Sequence, residues 1–121
     1  MQRSFRLTRS EDFKRVRRDG KSYAHPLVVL IALNSENNDP SRVRLVRVGV
    51  AAGKAVGTAV YRNRTKRLLR EAMRTLIPNI ASGLDLILIA RPKLAAASLT
   101  ETREAVIVLL QRAKLIPSNG S

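Results

Sequence analysis

The chain of 121 residues has no cysteine, no tryptophan and a single histidine, His25. Without thiols there is no disulfide framework, no thiolate nucleophile and no cysteine zinc cluster. One isolated imidazole, with no second histidine or close carboxylate pair, gives no basis for a metal centre or for Ser-His-Asp chemistry. Acids are scarce too, 9 Asp+Glu against 23 Lys+Arg, and they are scattered rather than clustered. A protein-borne two-metal nuclease, which needs several convergent carboxylates, is therefore not expected. Glu11 and Asp12 fit the start of a helix, where acids compensate the macrodipole. Aromatic residues make up only 3%, so a core must be assembled from Val, Leu, Ile and Ala. No apolar run approaches the roughly 18 to 20 residues that span a bilayer, and Met1 to Ser10 lacks the apolar region of a signal peptide. A cytoplasmic protein that does not enter membranes is expected.

What the chain has in excess is positive charge, +14 at neutral pH. Such an excess points to a polyanionic partner, because each phosphate neutralised releases condensed counterions. Nucleic acid is favoured over an anionic membrane, whose surface helices need Trp, Phe or Leu opposite a basic face. With 45% hydrophobic residues the chain can bury a core, which argues against a disordered basic tail. There is no repeat and no long linker, so one domain over 1–121 is expected, with the arm 1–9 and the tail 116–121 left open between ordered and mobile.

Hydrophobic patterning gives a coarse element order. Ser10 to Arg18 reads as a short helix exposing Lys14, Arg15, Arg17 and Arg18, with Phe13 and Val16 turned inward and Gly20 as its stop. Leu27 to Leu33 reads as a strand, ended by the turn-forming cluster Asn34 to Ser41. Val43 to Ala51 reads as a second strand with one wet side, expected to pair with the first as a hairpin. Leu84 to Ala90 is a third strand, closed by Arg91-Pro92. A further short strand is expected around Gly49 to Lys54 if the second run bends at Gly49. Ser98 to Lys114 forms a last helix, with Leu99, Val106, Leu109, Leu110 and Ala113 as its core stripe.

The segment 60–74 is the most informative. Wound at about 100° per residue, it gathers Arg62, Asn63, Lys66, Arg67, Arg70 and Arg74 on one arc and sets Leu68, Leu69, Ala72, Met73 and Leu76 apart from them. From Arg62 to Arg74 there are six Lys/Arg and one acid, Glu71. Like charges four apart repel by a few tenths of a kcal/mol per pair, so folding alone does not favour the stripe. A merely solvated helix face explains it less well than phosphate binding, for which Arg is suited to bidentate contact and Asn63 to sugar or base edges. The approach Gly53-Lys54-Ala55-Val56-Gly57 leads into this helix with a lysine. It lacks Walker spacing, so nucleotide triphosphate binding has little support, and its glycines fit plain turns equally well.

From Gly57 to Ala72 the sequence GTAVYRNRTKRLLREA resembles the arginine-asparagine-arginine helix of the protein subunit of bacterial ribonuclease P. Arg6-Leu7, Glu11-Asp12-Phe13, Arg47-Val48-Gly49-Val50 with Lys54, and Ile89-Ala90-Arg91-Pro92 follow the family's blocks in its order, over about three quarters of the chain. The resemblance implies an α+β fold: an α-β sandwich with a central, mostly antiparallel sheet of about four strands, in the order α-β-β-β-α-β-α. The basic helix would lie in a left-handed βαβ crossover, against the usual rule. It further implies a ribonucleoprotein endonuclease in which the RNA subunit, with Mg²⁺ held mainly through the RNA, removes the 5′ leader of precursor tRNA. The protein then has no catalytic residue and binds no metal alone.

Carried over residue by residue, Arg62, Asn63, Arg64, Lys66, Arg67 and Arg70 match the motif that contacts the RNA subunit. Lys54 lies in the same basic region, and Arg74 extends the stripe. Phe13 matches an aromatic in a cleft for the single-stranded leader, where stacking contributes roughly 1 to 3 kcal/mol per base. The chain departs from relatives at other cleft positions, with Arg17 and Ile31 in place of aromatics and Ala51 in place of serine, which shifts leader binding toward charge and apolar contact. Tyr61 is expected to fill core, Arg91-Pro92 to be structural, and the protein to be monomeric outside the complex. A structural RNA-binding protein of the ribosomal type, or a DNA-binding helix, would share the composition.

Overall fold

The computed structural model describes residues 6–34, 46–80 and 83–117. Its architecture follows from one strand. The segment Leu84–Ala90 alternates between two apolar sets, and all but one of its seven residues are buried. A strand that is apolar on both faces belongs in the middle of a covered sheet. The elements are α1 (Ser10–Asp19), β1 (Lys21–Ala24), β2 (Val28–Asn34), β3 (Arg47–Ala52), α2 (Ala59–Arg74), β4 (Leu84–Ala90) and α3 (Leu99–Arg112), with 3₁₀ turns at Lys54–Val56, Ile77–Asn79 and Pro92–Ala96. The sheet order is β1-β2-β4-β3. Two of the three pairings are antiparallel, β1 with β2 and β2 with β4, and β3 pairs parallel to β4. This is an α+β fold in the expected element order.

The expected hairpin between Leu27 to Leu33 and Val43 to Ala51 does not form: these runs supply β2 and β3, and β4 inserts between them and pairs with both. Proximity in sequence lost to burial: the strand with two apolar faces takes the centre. The extra strand is not at Gly49 to Lys54 either. It is β1, Lys21–Ala24, folded back on β2 in register Lys21 to Ala32, whereas β3 runs without a break through Gly49. Asn34, where the turn is expected to begin, is instead the last residue of β2, paired with Leu84; the rest of that turn, to Ser41, and the strand start at Val43 fall on residues 35–45, outside the described residues.

Alternation along the strands separates two packed layers. Leu84, Leu86, Leu88 and Ala90 of β4, with Val28 and Leu30 of β2 and Val48 of β3, face α2 and α3 and form the larger core. Ile87 and Ile31 face the other way and pack with Leu7 and with Val16 of α1. In α3 the buried stripe is Thr102, Ala105, Val106, Leu109 and Leu110. Leu99, expected in that stripe, is 42% exposed, because the first helical residue lies before the helix meets the sheet. Thr102 takes the inner position and donates its hydroxyl to the Ser98 carbonyl at 2.8 Å. Within the arm, Arg6 bridges to Val48 and the Leu7 amide donates to the Val48 carbonyl at 2.9 Å. The arm thereby covers the outer edge of β3.

Candidate nucleic-acid interface

α2 is built to show charge. Its buried residues are Thr65, Leu69, Ala72 and Met73. Thr65, a polar residue on that face, donates to the Arg62 carbonyl at 2.9 Å and so brings no unpaired hydroxyl into the core. Leu68 is only half-buried. The cations from Arg62 round to Arg67 cover an arc of roughly 140° at the helical step. Asn63, Arg67 and Arg74 are exposed, while Arg62, Lys66 and Arg70 are half-buried along the seam with the core. Arg62 has its Nε buried without a hydrogen-bond partner.

Among the described residues, the protein's own acids do little to neutralise this face. Arg74 pairs with Glu71 at 2.8 Å on the surface, which lowers the Glu71 pKa by hydrogen bonding and raises that of Arg74. Arg64 points elsewhere, donating to the carbonyls of Ala95 at 2.7 Å and Ala97 at 3.2 Å, so it clamps the last 3₁₀ turn to the start of α2. Among the described residues, Arg62, Lys66, Arg67 and Arg70 form no ion pair. Thr58, the N-cap of α2, makes no side-chain cap bond, and no acid lies in the first turn. Cations near a helix N-terminus oppose the macrodipole, so internal energetics again do not account for their placement.

A cleft joins α2 to α1. Its walls are Arg6, Leu7, Thr8, Phe13, Val48, Val50 and Arg70. The Phe13 ring lies against β3 because residue 49 is glycine: a Cβ there would stand 2.5 Å from Phe13 Cζ. Arg70 has its pKa lowered, first by burial and then by the like charge of Arg6. Two cations held together on a cleft that also carries an aromatic ring make a site for an anionic, stackable ligand. Of the other positions matched to the leader cleft, Arg17 is exposed on α1. Ala51 lies half-buried beside Ile89 on the sheet face that α1 partly covers. Ile31 is buried, 7% exposed, against Val16 and Ile87. Lys54 is exposed in the turn leading to α2. Tyr61, expected in the core, is 50% exposed, its ring resting on Gly57, because the first turn of α2 stands clear of the sheet.

Below α1 lies a network that the sequence reading did not single out. Asp85 of β4 is fully buried and accepts from Arg47 Nε at 3.0 Å, from Arg47 Nη2 at 2.9 Å and from Arg15 Nη2. Asp12 joins through Arg15 at 3.3 Å and Arg47 at 3.6 Å. Burial alone would raise the Asp85 pKa, but the hydrogen bonds from Arg47 and Arg15 outweigh it and hold the carboxyl below its ordinary value. A lone aspartate in an otherwise apolar strand was the available signal. The described residues contain no group of three or more His, Cys, Asp or Glu able to hold a metal. With Asp12 and Asp85 engaged by arginines, these side chains do not fit a magnesium ion. Among the described residues, no helix is long and apolar enough to cross a membrane.

Comparison with known proteins places this arrangement. The family model described as Ribonuclease P matches residues 1–114. The ribonuclease P protein component of Herpetosiphon aurantiacus is 44% identical over 115 residues, 95% of this chain and 89% of that protein. That of Chloroflexus aurantiacus is 36% identical over 119 residues, 98% and 84% of the respective chains. The RNase P protein of Staphylococcus aureus superposes with a TM-score of 0.81 at 26% identity, covering 95% of this chain and all of that one. The RNase P protein of Thermotoga maritima, in a complex with 1-(4-fluorophenyl)-2-thiourea, gives 0.75 at 27% identity over 88% and 97%.

Proposed function

Because the chain belongs to the ribonuclease P protein family, we propose that it binds the catalytic RNA subunit through α2 and the 5′ leader of precursor tRNA through the cleft beside Phe13. The holoenzyme so formed removes the leader hydrolytically, acting in the cytoplasm. The observation that carries this reading is the row Arg62, Lys66, Arg67 and Arg70, which has no carboxylate partner among the described residues. Phosphates of a folded RNA supply the missing anions, and release of their counterions drives association. Asn63, exposed within the row, adds a donor and an acceptor for sugar or base edges.

The cleft differs chemically from the stripe and takes a different part of the RNA. Phe13 offers a π-face to any base, and Arg6 and Arg70 hold the adjoining phosphate. Contacts of this kind suit a leader of variable sequence, since stacking and phosphate pairing do not read base identity. Arg17 and Ala51 extend the path along α1 and the sheet face. The protein's role is to bind and orient. Mg²⁺ is held mainly by the RNA, and the chain's cations lower the repulsion between the two RNAs that metal would otherwise have to screen.

Reconstitution tests this reading. Mixed with a ribonuclease P RNA, the protein lowers the Mg²⁺ concentration needed for precursor tRNA cleavage at physiological salt. An unchanged Mg²⁺ requirement would favour a structural RNA-binding protein without a role in cleavage.

A further inference from the structure

Phe13, the ring in the cleft, is carried by α1, a helix of 10 residues in which Val16 alone is fully buried. One apolar anchor holds a short helix down without fixing its direction, because hydrophobic attraction is non-directional. Direction comes from charge. Arg15 donates to Asp85 of β4 and, at 3.3 Å, to Asp12, and Asp12 in turn faces Arg47 of β3 at 3.6 Å. Arg15 and Asp12 are thus the two charged ties from α1 to the sheet. Arg47 and Asp85 are joined within the sheet, opposite each other in register, at 2.9 and 3.0 Å.

The ties lie close to the ring. Gly49, on which the Phe13 ring rests, is two residues along β3 from Arg47 on the same face, a distance of about 7 Å at the rise of a strand. Stability alone does not explain so charged an anchor. Asp85 is fully buried, and Arg15 keeps Nη1 buried without an acceptor. Apolar residues of similar volume in place of a buried ion network are often as stable or more so. What the charged hydrogen bonds add is geometry, since they accept few orientations.

We propose that Arg15 and Asp12 are positioning residues for the leader: their ties to Asp85 and Arg47 fix the seat of α1, and with it the Phe13 ring in the cleft. The proposal rests on the leader-binding reading above and goes beyond it, because neither side chain lines the cleft. Phe13 lies between the two ties in the chain. A shift of α1 that lengthens either of them also displaces the ring from Gly49.

The test uses the full chain with a ribonuclease P RNA and compares binding of precursor tRNA with binding of mature tRNA. Asp12→Asn/Arg15→Met cuts both ties, leaves Arg47 and Asp85 paired, and loses one acid and one base, so the net charge stays at +14. Circular dichroism checks that it is folded at the assay temperature. If it is not, Arg15→Lys, which loses only the planar fork, carries the same comparison. The preference for precursor is expected to fall about fivefold, the lower end of what one base stack contributes. Affinity for the RNA subunit and its salt slope stay as in the parent, because no phosphate contact is lost. In a Phe13→Ala background the same change has no further effect, and Ser98→Ala, which weakens the fold at α3, leaves the preference intact.

A preference equal to the parent's, while Phe13→Ala loses it, refutes the positioning role and leaves the leader reading standing. If Phe13→Ala keeps the preference too, the leader reading itself fails. A shallower salt slope, or a loss that persists without the ring, makes Arg15 a direct RNA contact and overturns the proposal. An equal loss in Ser98→Ala overturns it as well, by tracing the effect to general destabilisation.

Discussion

Asp85 is the residue on which the α1 layer depends. Breaking a buried ion pair by removing one partner costs roughly 3 to 5 kcal/mol, so Asp85→Asn, which strands Arg15 and Arg47 with only Asp12, is expected to lower unfolding stability in urea by that order. The same residue sets a pH dependence. Its native pKa is lowered relative to about 3.9 in the unfolded chain, so its stabilisation is complete above that value and is lost as pH falls through the lower native one. Urea midpoints of the parent should drop below about pH 4, and those of Asp85→Asn should drop less. An equal drop in both would remove Asp85 as the cause. Gly49 controls a different property. A methyl group there overlaps the Phe13 ring, and Gly49→Ala is expected to cost about 1 to 3 kcal/mol. Phe13→Ala is expected to weaken precursor tRNA binding by the holoenzyme more than mature tRNA binding. Equal weakening of both would make the ring a support of the fold only.

Among the elements, legibility depended on whether the signal was local. α1 begins and ends within a residue of its reading, and β4 matches its apolar run residue for residue. Caps, charge and alternation are all contained in those segments. Periodicity told which side of a helix is apolar but not how far along the axis the sheet extends. Val60, Tyr61 and Leu99, all in first turns, are consequently exposed. Strand pairing was not legible, because the choice of β4 over β3 as the partner of β2 is settled by burial across more than fifty residues of sequence. The N-terminal box of α3 is local and legible in the sequence: Ser98 and Glu101 are spaced as a capping box, and each side chain accepts the other's amide, at 3.1 and 3.0 Å. Ser98→Ala should cost about 1 kcal/mol, seen as a lower melting temperature with RNA affinity retained. Loss of affinity with unchanged melting would contradict a purely structural role.

At the scale of the whole molecule, a charge of +14 is distributed unevenly. The α1 layer engages Arg15 and Arg47 with Asp12 and Asp85, whereas the seam and outer face of α2 keep four cations without an acidic partner among the described residues. The sequence showed the stripe because helical spacing alone places it. The cleft needed the fold, since Arg6, Phe13 and Arg70 come together only when the arm, α1 and α2 meet at β3. The account stands on that stripe meeting RNA phosphates. The most direct measurement is the salt dependence of binding to the ribonuclease P RNA for the parent and for Arg62→Ala/Arg67→Ala. Loss of two phosphate contacts predicts weaker binding and a log–log slope shallower by roughly 1.4 to 1.8. An identical slope, with the variant folded, would take α2 out of the interface.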